Sequence, residues 1–192
     1  SDKTQKTVFA LKNYAFRTTR DTPVVYQAAD TWETILLIYE NRLRQGIVLE
    51  KDFQPCPALF GFPDAIGQVW TNLLDNSIHA LGGKGQIRIS IRPEASNPKW
   101  VEVLFEDNGP GIPPEVQPRI FEQFYTTKAQ GEGTGLGLHI VKGIVEEHGG
   151  KISVQSQPGH TQFRVLLPVE NELKKQLGQA ERPPASQPVT SP

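Results

Sequence analysis

The 192-residue chain has a single cysteine, Cys56. One thiol excludes an internal disulfide and a zinc site built on cysteines, and it reads as a structural thiol in a reducing compartment. An excess of charge is also missing: 20 basic and 21 acidic residues leave a formal net charge of -1. That balance gives no reason to expect nucleic acid or an anionic membrane, and any phosphate ligand would have to be held by local donors. No apolar run approaches the ~20 residues that span a bilayer, and no signal peptide is read at the start. A cytoplasmic location is expected, with any membrane anchor of a longer parent lying before residue 1. Hydrophobic residues reach only 37%, low enough to expect some chain outside a core.

Internal repeats are absent, and the periodicities are mixed. Residues 1–20 are polar, with a short helical run over Val8–Phe16 that Thr22-Pro23 breaks. Ile35, Leu36, Ile38, Tyr39 and Leu43 fall near helical spacing and predict a helix over Thr31–Leu43. Ile47–Phe53 alternates as a strand, and Pro55 and Pro57 mark an irregular link. Pro63 and Asp64 suit a helical first turn. Ile66, Val69, Trp70, Leu73, Leu74, Ile78 and Leu81 then form an apolar face that Gly82-Gly83 ends. Strands are predicted over Gln86–Arg92 and Trp100–Glu106. Glu115–Phe124 is expected to hold a short helix, and Thr126–Thr134 to be an irregular, mobile loop. Leu138, Val141, Ile144 and Val145 mark the next helix. A hairpin across Gln157-Pro158-Gly159 joins Lys151–Gln155 to Gln162–Leu167. Beyond Pro168 the pattern fails, apart from a frayed helix over Glu170–Leu177, and Glu181–Pro192 reads as disordered. Helices and mostly antiparallel strands without βαβ regularity predict an α+β, two-layer sandwich, its sheet covered by helices on one face.

Four clusters carry chemistry. On the helix after Pro63, Asn72, Asn76 and His79 stack along one side. Asparagine is a poor helix former, so the pair reads either as a solvated polar face or as carbonyl oxygens for Mg²⁺, with His79 as a phosphate donor or a plain surface histidine. Asp107-Asn108-Gly109-Pro110-Gly111-Ile112 follows a strand. A carboxylate there can accept from the exocyclic amine of adenine, and the glycines let the backbone approach a base; an ordinary turn is the alternative. Gly131-Glu132-Gly133-Thr134-Gly135-Leu136-Gly137-Leu138 opens a helix whose N-terminal donors suit phosphate. Its spacing excludes the dinucleotide G-x-G-x-x-G, and no P-loop is present. Phe121-Glu122-Gln123-Phe124-Tyr125-Thr126-Thr127-Lys128 offers aromatic anchors and a lysine point charge.

Taken in chain order, the clusters resemble the N, G1, F and G2 boxes of the GHKL ATP-binding (Bergerat) fold, over about residues 63–168. The strings around Asn72 and Asn76, FxxFxTTK and GTGLGL are most similar to sensor histidine kinases. The resemblance implies ATP and Mg²⁺ as cofactors. It implies that Asp107, helped by Thr161, binds the adenine amine, with Gly109, Gly111 and Ile112 around the base. Asn76 and Asn72 would hold Mg²⁺. Gly133, Thr134, Gly135, Leu136, Gly137 and Leu138 would form the lid hinge and phosphate contacts, with Phe124, Thr126 and Thr127 beside them. Lys128 would approach the terminal phosphate; family members often carry lysine or arginine where His79 stands.

Gyrase-like and Hsp90-like branches usually carry glutamate at position 72 to activate water. An amide has no basic group for that proton, so the terminal phosphate is expected to await an imidazole instead. None of His79, His139, His148 and His160 sits in a phosphoacceptor context. The acceptor helix is therefore expected before residue 1, with residues 1–20 its remnant or linker, 21–169 the catalytic domain and 170–192 a tail. Expected partners are the phosphoacceptor domain of the same protein and a response regulator receiver domain. This chain is expected to be a monomer and the full-length kinase a homodimer. Alternatives are a nucleotide-sensing module, an ATP hydrolase and a GHKL serine kinase.

Overall fold

The computed structural model describes residues 22–128, 134–171 and 174–175. The elements run β1 (Val24–Tyr26), α1 (Ala28–Leu43), β2 (Ile47–Phe53), β3 (Leu59–Gly61), α2 (Pro63–Ala80), β4 (Gly85–Pro93), β5 (Trp100–Asp107), a 3₁₀ turn (Gln117–Arg119), α3 (Gly137–Glu147), β6 (Lys151–Gln157) and β7 (His160–Pro168). A five-stranded sheet has the order β2-β4-β5-β7-β6. Only β2 and β4 run parallel; the other neighbours are antiparallel. The predicted α+β sandwich is therefore the observed fold.

Alternation decides which face of the sheet is covered. Ile87, Ile89 and Ile91 of β4, Val101, Val103 and Phe105 of β5, and Phe163, Val165 and Leu167 of β7 are buried. Period-2 geometry puts them on one face. The helices cover that face through an aromatic stack. Trp32 of α1 lies 4.7 Å from Trp70 of α2 and 5.6 Å from Phe105 of β5. Trp70 Nε1 donates to Thr31 Oγ1 at 2.8 Å, so this indole carries no unmet donor into the core.

The opposite face is polar. Its centre is Glu102, 5% exposed, which accepts from Arg92 Nε at 2.6 Å and Arg164 Nε at 2.5 Å. Burial alone would raise this carboxyl; the two guanidiniums outweigh it and hold it below its ordinary value of 4.5. A depressed native value means stability that is present above the unfolded pKa and lost as pH falls through the native one. Thermal melts at decreasing pH should therefore show a loss below about pH 4.5 that Glu102→Gln flattens. At neutral pH that variant should cost about 1–2 kcal/mol, since both arginines are half-exposed.

Several expectations need correction. Ile38 is 69% exposed, whereas Trp32, absent from the predicted face, is fully buried. The helix starts at Ala28, and its buried stripe runs Ala28, Trp32, Leu36, Tyr39 and Leu43, which leaves Ile38 off the stripe. Glu115–Phe124 holds one 3₁₀ turn rather than a helix. Pro118 has no N–H to give, and N–H groups of residues 116, 119, 122 and 125 bond to carbonyls three positions back. The paired strands β1 and β3 were too short for any periodicity to reveal. The tail was expected from residue 170, yet Asn171 is buried and donates to the Phe60 carbonyl at 2.6 Å. One asparagine leaves no periodic signal. The helical run at Val8–Phe16 and the tail from Glu181 lie outside the described residues.

Candidate functional site

The site lies in a cleft of about 1490 Å³ that runs from β1 and α1 along α2 to the loop after β5, the start of α3 and the ends of β5 and β7. It brings together Asn72, Asn76, His79, Asp107, Gly111, Ile112, Thr126, Thr127, Lys128, Thr134, Gly135, Gly137, Leu138 and Thr161. Gly109 and Phe124 are not among the lining residues, Phe124 being exposed and Leu136 buried, and Gly133 lies outside the described residues.

One end is built around Asp107. It closes β5 and is 6% exposed. Oδ1 accepts from Gly109 N at 2.9 Å, and Oδ2 from Ser77 Oγ of α2 at 2.5 Å. Sequence reasoning missed Ser77. Its signal was a small polar residue on the apolar stripe between Leu74 and Ile78. Thr161 lies opposite Asp107 in the sheet register, and its Oγ1 sits 2.8 Å from Ser156 Oγ. Ser156 Oγ also accepts from Ile112 N at 2.8 Å. Gln117 Nε2 donates to the carbonyls of Ile112 and Ser156, so the loop is tied to the β6–β7 end. Gly111 has φ +84°, and a Cβ there would lie 2.5 Å from the Gln157 carbonyl oxygen. Only glycine fits that approach.

The other end is formed by amides and backbone. Lys128 Nζ donates to Asn76 Oδ1 at 3.3 Å. Asn72 Nδ2 is buried with no hydrogen-bond partner among the described residues, and a Cβ on Gly137 would sit 3.5 Å from Asn72 Oδ1. A buried donor left unmade is costly, so this amide calls for a polar ligand in the cleft. Gly137 is the first residue of α3, and no side chain caps that helix; its first N–H groups lack intrahelical acceptors. Gly135 has φ +65°, and a Cβ there would meet the Phe124 backbone at 2.4 Å. The aromatic string and the glycine string are thus in contact, with Phe124 itself at φ +66°. Asp75, next to Asn76, is engaged by Arg42 at 2.7 Å.

The histidines separate cleanly. His79 is exposed at the cleft rim. His148 is 1% exposed, with Nδ1 2.8 Å from the Ile144 carbonyl and Nε2 accepting from Phe62 N at 3.0 Å. It is a packing residue. Burial pushes the Cys56 thiol up, which fits an inert cysteine.

A family model described as histidine kinase-, DNA gyrase B- and HSP90-like ATPase matches residues 61–171, more than half of the chain. The chain belongs to this ATPase family. Its domain is of the sensor-histidine-kinase type, as the motifs implied. The sensory histidine kinase/phosphatase NtrB of Escherichia coli O157:H7 is 34% identical over 160 residues, covering 79% of this chain and 44% of that protein. NtrB of Rhodobacter capsulatus is 40% identical over 136 residues, covering 64% of this chain and 37% of that protein. The chain thus spans less than half the length of these relatives. Among solved structures, the catalytic domain of histidine kinase ThkA superposes with a TM-score of 0.69 at 28% identity, over 78% of this chain and 99% of that domain. Within the ATPase-family domain, no described helix is long and apolar enough to cross a membrane.

Proposed function

We propose that this ATPase-family domain is the phosphoryl donor of a two-component sensor histidine kinase. It binds Mg-ATP with the adenine at Asp107 and the phosphates between Asn72, Asn76, Lys128 and the start of α3. An acceptor imidazole, carried on a dimerisation segment of the longer protein, attacks the γ-phosphorus. Its nitrogen lone pair forms the N–P bond as the bond to the bridging oxygen breaks and ADP leaves. The phosphohistidine then serves a response regulator receiver domain. The chain alone is a monomer, the longer kinase a cytoplasmic-facing homodimer.

One observation carries the choice of kinase over hydrolase: the residue of α2 beside Gly137 is an amide, Asn72. An amide cannot take a proton from water. Asp75 is occupied by Arg42, and Asp107 by Ser77 and Gly109.

The donor set fits Mg²⁺. Asn76 offers a hard amide oxygen at the cleft wall, and Mg²⁺ binds through few protein oxygens plus substrate phosphates. Asn72 is the weaker candidate as placed, because its partnerless atom is the donor Nδ2, which suits a phosphate oxygen; the metal role requires the amide turned over. When bound, the ion neutralises charge on the phosphate oxygens. The chain's own residues hold the base, seat the phosphates and present Lys128 to them.

The test is transfer in trans. The chain is mixed with γ-labelled Mg-ATP and the separately produced dimerisation segment of the full-length protein. Acid-labile phosphohistidine should form on that segment and not on this chain. Tight ATP binding with no transfer would favour a nucleotide-sensing module, and phosphoserine on a partner would favour a serine kinase.

A further inference from the structure

Ser77 is out of place on α2. It is 2% exposed on the stripe that includes Leu73, Leu74 and Ile78. An alanine would fill the same position, favour the helix and bury no hydroxyl. The serine hydroxyl spends its only proton on Asp107 Oδ2, at 2.5 Å. The other carboxylate oxygen takes the Gly109 N–H at 2.9 Å. That loop donor is itself anchored, because the Gly109 carbonyl accepts from Gly159 N at 2.9 Å. Thr161, directly across the sheet, has its hydroxyl engaged with Ser156 instead. The Asp107 carboxylate is therefore pinned by two donors, one from α2 and one from the loop, on different oxygens. The terminal torsion of an aspartate is otherwise broad, and one bond alone leaves it free to swing.

We infer that Ser77 is a positioning residue that sets the plane of the Asp107 carboxylate and thereby the selectivity of the cleft for a 6-amino purine. The inference rests on the nucleotide reading above and deepens it. A carboxylate is acceptor-only. It rewards a ring amine and gives nothing to a purine that carries hydrogen at the same carbon. How strongly it discriminates depends on how well its remaining lone pairs are aimed. Ser77 acts on that aim through Asp107, so its loss changes selectivity and not merely affinity.

The test is the ratio of dissociation constants for Mg-ATP and the triphosphate of purine riboside, which lacks the amine. It is measured by calorimetry on the wild-type chain, Ser77→Ala, Ser77→Cys, Asp107→Asn and the Ser77→Ala/Asp107→Asn double variant. The wild type should prefer ATP, and Ser77→Ala should narrow that preference by about tenfold, the scale of one hydrogen bond to a charged group. Ser77→Cys, which keeps the volume and a weak donor, should fall between. In the Asp107→Asn background the serine replacement should change nothing further, because its route is already cut. Equal weakening of both nucleotides by Ser77→Ala, or an unchanged ratio, overturns the proposal alone. A wild-type chain with no preference overturns the adenine reading and the proposal together. Should Ser77→Ala fail to fold, Ser77→Cys carries the same comparison.

Discussion

Asp107→Asn should bind Mg-ATP about 100-fold more weakly than the wild type, the upper range for losing a charge-assisted hydrogen bond. The substitution keeps the side-chain volume and exchanges one acceptor oxygen for an NH₂ donor. Gly109 N retains an acceptor in the remaining amide oxygen. Ser77 Oγ, now 2.5 Å from that donor, must reverse its role and accept. An adenine amine facing the new NH₂ meets donor against donor, so the loss falls on recognition first. The structural cost is smaller, about 1–2 kcal/mol, because one buried partnership is rearranged rather than left open. Calorimetric titration with ATP, beside a thermal melt without nucleotide, separates the two effects. An unchanged affinity would remove Asp107 from the base site.

Asn76→Ala should leave the fold nearly untouched and reduce phosphoryl transfer by about 10²–10³-fold, the range for deleting one preorganised group at developing charge. Asn76 is half-buried at the cleft wall, and its side-chain oxygen accepts from the Lys128 ammonium at 3.3 Å. Removing it deletes the hard oxygen that the Mg²⁺ reading requires. Binding of ATP in excess chelator should change little, while the gain in affinity on adding Mg²⁺ should disappear. Single-turnover transfer to the supplied dimerisation segment, with titrations in the presence and absence of the ion, checks both halves. Full metal-dependent binding in the variant would place the ion elsewhere.

The parts of the fold visible in the sequence were those with long, strict periods. α2 announced itself through seven apolar residues and Pro63, and the hairpin β6–β7 through alternation around Pro158-Gly159. Strands β1 and β3, three residues each, carry no period and form only because Val24–Tyr26 and Leu59–Gly61 find one another. The phase of α1 was misread because Ile35, Leu36, Ile38 and Tyr39 crowd two adjacent faces, and only packing against Trp70 and Phe105 selects Trp32. At the site, Asp107 was legible as a carboxylate ending a strand before a glycine turn. Ser77 was not, because its importance lies in a contact 30 positions away in sequence. The approach of Gly135 to the Phe124 backbone belongs to the same class. Each glycine-rich or aromatic string was readable alone, and their meeting was not.

The decision between kinase and hydrolase rests on Asn72, an amide where a water-activating base is required. The direct test is the fate of the γ-phosphate. The chain is loaded with γ-labelled Mg-ATP, and label is followed in free phosphate and in protein, with and without the dimerisation segment. Intact ATP in the absence of the segment, and label on its histidine in its presence, is the predicted result. Free phosphate released without the segment as fast as label is transferred with it would contradict the account.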